Sequence, residues 1–144
     1  MDEDEQAIRA VIEDRATAVA RGDVDGMTAA VAEDATIFDV VPPLRTHDHA
    51  AILHRAQQWL SAFEGPPTWE NHELRIVVGG DAGFAHMTCH VTGTLVSGAP
   101  VDLWFRTTLG FEKRYRGWWI VHDHFSHPFD PASGKVLTGL APDA

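Results

Sequence analysis

The stretch from Asp102 to Pro128, DLWFRTTLGFEKRYRGWWIVHDHFSHP, decides the fold. It reads as two long strands joined by a tight polar turn. Val101 to Lys113 carries Leu103, Trp104, Phe105, Leu109 and Phe111, and Trp118 to His127 carries Trp118, Trp119, Ile120, Val121 and Phe125. Aromatic and β-branched residues of this kind favour strands. Arg114-Tyr115-Arg116-Gly117 supplies the turn, where Gly117 tolerates positive φ. Neither strand alternates cleanly between apolar and polar, so both faces are expected to be covered. The protein's own core would cover one, and a second copy of the chain the other, in a homodimer through the outer sheet face. Arg106, His122, Asp123, His124 and Ser126 are set among these apolar residues. Polar groups in such surroundings are costly unless paired.

Upstream of this hairpin the spacing predicts two more strands. Trp69 to Val78 ends at Gly79-Gly80-Asp81, and Ala82 to Val96 ends in a Ser97-Gly98 turn. Before them, helices are expected. Asp2 to Arg21 has acidic residues in its first turn and an apolar stripe of Ile8, Val11, Ile12, Ala16 and Val19. Gly22 ends it, and a short second helix runs to about Val31. A first strand spans Ala35 to Val41. A third helix follows Thr46 and runs to about Phe63, with Ile52, Leu53, Ala56, Trp59, Leu60 and Phe63 on one face, until Gly65-Pro66-Pro67 stops it. Helices first and strands afterwards indicate α+β. A long helix on a curved antiparallel sheet encloses a cone, whose interior is a natural pocket.

The 144 residues suit one domain, expected over 1–130, with 131–144 as a C-terminal tail. A formal net charge of -10 argues against nucleic acid or an anionic membrane as partner. No apolar run is long enough to span a bilayer. The single cysteine, Cys89, and the acidic start MDEDEQ, which is unlike a secretory signal, lead to the expectation of a cytoplasmic protein.

The element order and three groups of residues carry a resemblance. ARGDVDGMTAAVAEDATIFD resembles the opening of ketosteroid isomerases and SnoaL-like polyketide cyclases. GDAGFAHMTCHVTGTL, VDLWFRTTLGFEK and WWIVHDHFSHPFDPASGK resemble the ketosteroid-isomerase-related, SnoaL-like branch of the nuclear transport factor 2-like superfamily. The last strand is also similar to that of the association domain of calcium/calmodulin-dependent kinase. The resemblance implies a cystatin-like cone, three N-terminal helices packed on a curved antiparallel β-sheet, with no cofactor and no metal. It also implies that Asp39, in ATIFD, matches the isomerases' general base. Their oxyanion tyrosine falls on Arg15, and their neutral aspartic acid near Leu109, so both donors differ in kind here.

Several polar residues have two readings. Arg15 either snorkels at the edge of the helical stripe or points a cation into the cavity. Asp39 is either a turn residue before Pro42-Pro43 or a carboxylate at the cavity mouth. Phe84, His86, Thr88, His90 and Thr92 share one strand face, which the resemblance turns into the cone. A two-residue hairpin at Ser97-Gly98 would set His90 beside Phe105; a bulge would set it beside Trp104. His122, His124 and Ser126 share one face of the last strand, and Trp119, Val121, Asp123 and Phe125 the other. The three polar residues form an interface, a pocket wall with an acid–base histidine, or, with His127, a metal site. Arg106 either pairs with Asp123 or Asp102 or anchors an anionic ligand.

These readings predict a protein for a small, largely apolar organic ligand, with acid–base isomerase or cyclase chemistry; the alternative is a non-catalytic ligand-binding or association module. Asp39, His86 and His90 are the catalytic candidates. Arg15, Trp59, Trp104, Arg106, His122, Asp123 and His124 are the ligand-binding candidates.

Overall fold

The computed structural model describes residues 2–143. The order is α1 (Glu3–Ala20), α2 (Val24–Thr28), β1 (Val31–Phe38), α3 (His49–Ser61), β2 (Thr68–Gly79), β3 (Ala82–Thr94), β4 (Pro100–Arg114) and β5 (Gly117–Ser126). Helices precede the four long strands, as the α+β reading expects. None of the described helices is long and apolar enough to cross a membrane.

Local chemistry sets the helix ends. Asp2 caps α1 by accepting from the Glu5 amide at 2.7 Å, and Glu3, Asp4 and Glu5 oppose the positive end of its dipole. Ile8, Ile12, Arg15 and Val19 form one buried stripe. Gly22, at φ 67°, turns the chain, and the Asp23 amide closes on the Ala18 carbonyl at 2.9 Å. α2 stops at Thr28, three residues before the expected end. Val31 and Ala32 are already in strand, and the Ile120 amide donates to the Ala30 carbonyl at 2.7 Å. Sheet pairing has overridden a short helical pattern.

The sheet order is β1-β5-β4-β3-β2. β1 runs parallel to β5, and all other pairs are antiparallel. The β3–β4 hairpin closes through Leu95 and Ala99, whose loop of Val96, Ser97 and Gly98 needs Gly98 at φ 89°. That extra loop residue sets His90 opposite Trp104 and Thr88 opposite Arg106. It also sets the odd-numbered positions of both strands on one face, the apolar one. Ala85, Met87, Cys89, Val91, Phe105, Thr107, Leu109 and Phe111 are buried, and the even-numbered residues between them face outward. The expectation that His86 and His90 look into the cone is therefore corrected.

Register shifts interrupt three of the described strand pairs; one lies in β1 between Val31 and Thr36, and the other two bear on which residues face inward. In β2 the register shifts between His72 and Arg75, with Glu73 at φ 57°. Trp69 packs inward before this point, and Leu74, Ile76 and Val78 after it. In β5 the register shifts where Gly110 and Phe111 face His122 and Ile120, leaving Val121 as the extra residue. Trp118 and Ile120 are buried before it, Asp123 after it. A bulge of this kind adds twist and exchanges the faces of a strand. Trp119 therefore does not share a face with Asp123 as simple alternation had it. At Gly110 an added Cβ would lie 3.3 Å from the His122 Cβ, a close approach that favours glycine beside the bulge.

Candidate functional site

The bent sheet and the three helices enclose a cavity of about 450 Å³. Ligand pockets run from about 300 to about 1,000 Å³. α1 contributes Arg15, α2 contributes Met27 and Thr28, and α3 contributes Ile52, Arg55, Ala56 and Trp59. The sheet side supplies Ile37 and Asp39, Trp69, Leu103 and Phe105, then Asp123, Phe125 and His127. An aromatic wall runs across it edge to face: Trp59–Trp69 at 5.9 Å, Trp69–Phe105 at 5.2 Å and Phe105–Phe125 at 5.8 Å between ring centroids.

Two ion pairs interrupt this apolar lining. At the mouth, Arg55 Nε donates to Asp39 Oδ2 at 2.7 Å, and the Val40 amide donates to Asp39 Oδ1 at 2.6 Å. Both Asp39 oxygens are thus engaged. Deeper, Arg15 Nη1 donates to Asp123 Oδ2 at 2.6 Å, and both residues are buried. The Arg15 guanidinium lies 5.6 Å from the Trp69 ring centre and 5.9 Å from that of Phe125, so aromatic faces support the cation. Burial raises the Asp123 carboxyl above its ordinary range; the Arg15 charge opposes that rise, and Asp39 adds to it. One atom of each partner, Arg15 Nη2 and Asp123 Oδ1, is buried without a hydrogen-bond partner. Orphaned polar atoms of this sort are rare in proteins and mark places where a polar group belongs.

His127 also lines the cavity. Its Nδ1 donates to the Trp104 carbonyl at 3.0 Å, which leaves Nε2 as the acceptor in the neutral ring. Cys89 is buried, with Sγ 3.4 Å from Thr107 Oγ1, and burial raises its thiol to about 11. It packs as an inert side chain.

Of the sequence candidates, Arg15, Asp39, Trp59 and Asp123 come together at the cavity. The other six do not. His86, His90, Trp104, Arg106, His122 and His124 stand on the outer face of the sheet: Ala85, Met87, Cys89 and Val91 take the core face of β3, the three-residue β3–β4 loop sets Trp104 and Arg106 opposite His90 and Thr88, and the β5 bulge turns His122 and His124 outward. Arg106 is exposed and donates to Ser126 Oγ at 3.0 Å, rather than pairing with Asp123 or Asp102. His122 hydrogen-bonds the Thr36 carbonyl through Nδ1 at 2.7 Å, and Phe38 packs edge-on against both His122 and His124. Sequence reasoning missed Arg55, Trp69 and His127 as lining residues. A signal for Arg55 was present: Ile52, Arg55, Ala56 and Trp59 share a face of α3 at helical spacing.

The comparisons agree with this architecture. The SnoaL-like domain family matches residues 8–130. A nuclear transport factor 2-like protein of unknown function from Pseudomonas putida superposes with a TM-score of 0.86 at 28% identity, over 96% of each chain. A nuclear transport factor 2-like superfamily protein from Salmonella enterica gives 0.76 at 19%, over 88% of this chain and 92% of the other. A protein with a cystatin-like fold from Caulobacter vibrioides gives 0.74 at 17%, over 99% and 93%. No curated protein matches the chain. With a family match over most of its length and this cone of helices on a bent sheet, the chain belongs to the SnoaL-like domain family of the nuclear transport factor 2-like superfamily.

Proposed function

We propose that the cavity binds a small, largely apolar carbonyl compound and catalyses proton transfer at the carbon next to the carbonyl. The observation that carries this reading is the orphaned pair of atoms, Asp123 Oδ1 and Arg15 Nη2, on buried partners that line a largely apolar cavity. Asp123 Oδ1 takes the proton. A carboxylate whose pKa is raised by burial is a stronger base than an exposed one. Arg15 Nη2 donates to the oxygen on which negative charge develops, in a site with little competing water. The aromatic wall binds the apolar body of the ligand, and His127 Nε2 can accept from a ligand hydroxyl.

Asp39 then acts at the mouth. Its engagement by Arg55 and by the Val40 amide favours a gatepost role over that of the base. A second reading, a module that binds such a ligand without turning it over, is favoured by the arginine partner on each acid. A panel of enolisable ketones in deuterated water separates the two, read by loss of the α-proton NMR signal. Exchange above the buffer rate, lost in Asp123→Asn and largely kept in Asp39→Asn, supports the proton-transfer reading. A ketone that raises the melting temperature of the wild-type chain yet never exchanges overturns it in favour of the module.

A further inference from the structure

The outer face of the sheet, away from the cavity, carries a second cluster. Glu70 and His72 alternate on β2, and His90 stands directly opposite Glu70 on β3. Glu70, His72 and His90 each offer one ligand atom, and the three lie within 4.8 Å of one another. His90 Nδ1 is 3.1 Å from Glu70 Oε1, and His72 Nε2 is 3.5 Å from the same oxygen. Ligand bonds of about 2.0–2.2 Å to zinc at a tetrahedral angle put neighbouring ligand atoms about 3.3–3.5 Å apart. The cluster is already near that spacing.

Its surroundings hold it in place. His90 stacks flat on Trp104, with centroids 4.3 Å apart and planes 2° apart, and His72 leans on the same indole at 5.0 Å. Asp102 Oδ1 accepts from His90 Nε2–H at 2.6 Å. Glu70 Oε1 in turn accepts from Nδ1–H, so an ion bound at Nδ1 would take the place of that proton while Asp102 goes on holding Nε2–H, an arrangement in which a carboxylate orients a metal-bound histidine. Asp102 and Glu70 together give the spot negative charge, on a chain whose net charge is -10.

From this juxtaposition we propose that Glu70, His72 and His90 form a three-ligand surface site for a divalent first-row transition ion such as zinc, with Asp102 behind His90 and a fourth position open to water. Two imidazoles and one carboxylate suit zinc, cobalt, nickel or copper and disfavour calcium and magnesium. The site is separate from the cavity, so it stands whether or not the cavity is catalytic.

The test uses the untagged full chain, stripped with chelator and titrated with cobalt(II) while visible absorption is followed, then with zinc as competitor. We expect saturation at one cobalt per chain and full displacement by zinc. Glu70→Gln and His72→Ala should each weaken binding at least tenfold, and Asp102→Asn by about tenfold, the lower end for loss of a partner behind a ligand. His124→Ala, on the same sheet face but outside the trio, should bind as the wild type does. Absence of saturable binding overturns the proposal. So does a His124→Ala loss equal to that of His72→Ala, which would mark unspecific capture by a histidine-rich sheet. Glu70 is exposed, so Glu70→Gln keeps the test decisive even if a histidine variant folds poorly.

Discussion

Removing either partner of the Arg15–Asp123 pair should cost much more than removing both. Arg15 is 8% exposed and Asp123 4%, and a single 2.6 Å hydrogen bond joins them. Breaking a buried pair by deleting one partner costs about 3–5 kcal/mol, whereas an apolar replacement of both is often neutral. The two deletions are not equivalent. In Arg15→Met the stranded Asp123 can take up a proton; in Asp123→Leu the stranded guanidinium cannot lose one. Asp123→Leu should therefore sit at the upper end of the range and Arg15→Met at the lower. For a chain of this size about 3 °C of melting temperature accompanies each kcal/mol, so falls of about 10–15 °C are expected. Arg15→Met/Asp123→Leu should recover most of the loss, leaving a coupling of at least about 2 kcal/mol. The sign with pH follows from linkage. Without Arg15, burial holds the Asp123 carboxyl still higher, so the folded chain binds a proton the unfolded chain releases. Stability then falls as pH rises from the ordinary carboxyl value of 3.8 to the raised folded value, and acidification shrinks the Arg15→Met deficit. Urea unfolding followed by tryptophan fluorescence reads all four chains, since Trp69 lies against Arg15. Single losses below about 1 kcal/mol, or a double variant equal to the sum of the singles, would refute the reasoning.

Two further predictions concern other parts of the cone. Asp4 accepts from Lys113 Nζ at 3.0 Å and Trp118 Nε1 at 3.1 Å, tying the start of α1 to the β4–β5 hairpin; the Lys113 bond, then the Trp118 bond, lowers its carboxyl. A lowered acid stabilises the fold above its ordinary value of 3.8 and loses that contribution as pH falls through the folded value. Asp4→Asn should therefore melt below the wild type at pH 7, with the gap closing as pH falls below 3.8; a gap that stays constant would refute the tie. Cys89, raised to about 11, should react with a disulfide-exchange reagent only after denaturant is added, and rapid native labelling at pH 8 would contradict its burial.

The fold was legible because it rests on patterns that sequence carries well. The stripe of Ile8, Ile12 and Val19, the Gly22 stop and the aromatic runs around Trp104 and Trp119 each point to one element. Orientation was legible only between irregularities. Sequence alternation groups Asp123 with Phe125 correctly, and it groups His122 with His124 and Ser126 correctly. It cannot see that Val121 is an extra residue, so it carries Trp119 onto the wrong face. For Trp104 and Arg106 the deciding fact is a single loop residue at Val96 to Gly98, which moves the pairing by one and sets them opposite His90 and Thr88 on the outer face; His86 and His90 lie outward because Ala85, Met87, Cys89 and Val91 fill the other face of β3. Such differences come from backbone hydrogen bonding and leave little mark on composition. Arg55 escaped notice for another reason: a polar residue on an apolar helical face reads as an edge residue until the facing carboxylate, Asp39, is in place.

The two acids of the cavity illustrate how position divides similar chemistry. Asp39 and Asp123 each meet an arginine at hydrogen-bond distance, 2.7 and 2.6 Å. At the mouth, water and the Val40 amide share the work of solvating Asp39, and the pair gains little from proximity alone. Inside, Asp123 has no such help. The bulge at Val121 aims it at the cavity, and aromatic neighbours withhold water from it and from Arg15. The same ion pair therefore becomes expensive to hold and sensitive to whatever polar group enters beside it. A carbonyl compound that reached them would meet a donor, Arg15 Nη2, and an acceptor, Asp123 Oδ1, that have no hydrogen-bond partner among the described residues. With Val121 as the extra residue, Asp123 as well as Ile120 faces inward, and that inward carboxylate makes a structural salt bridge a candidate reaction centre. Deleting Val121 would join Ile120 directly to His122, in the pairings they already make with Phe111 and Gly110, so β5 should straighten with Asp123 still inward and ligand-induced stabilisation and α-proton exchange should survive; their loss would refute this account of how the strand faces the cavity.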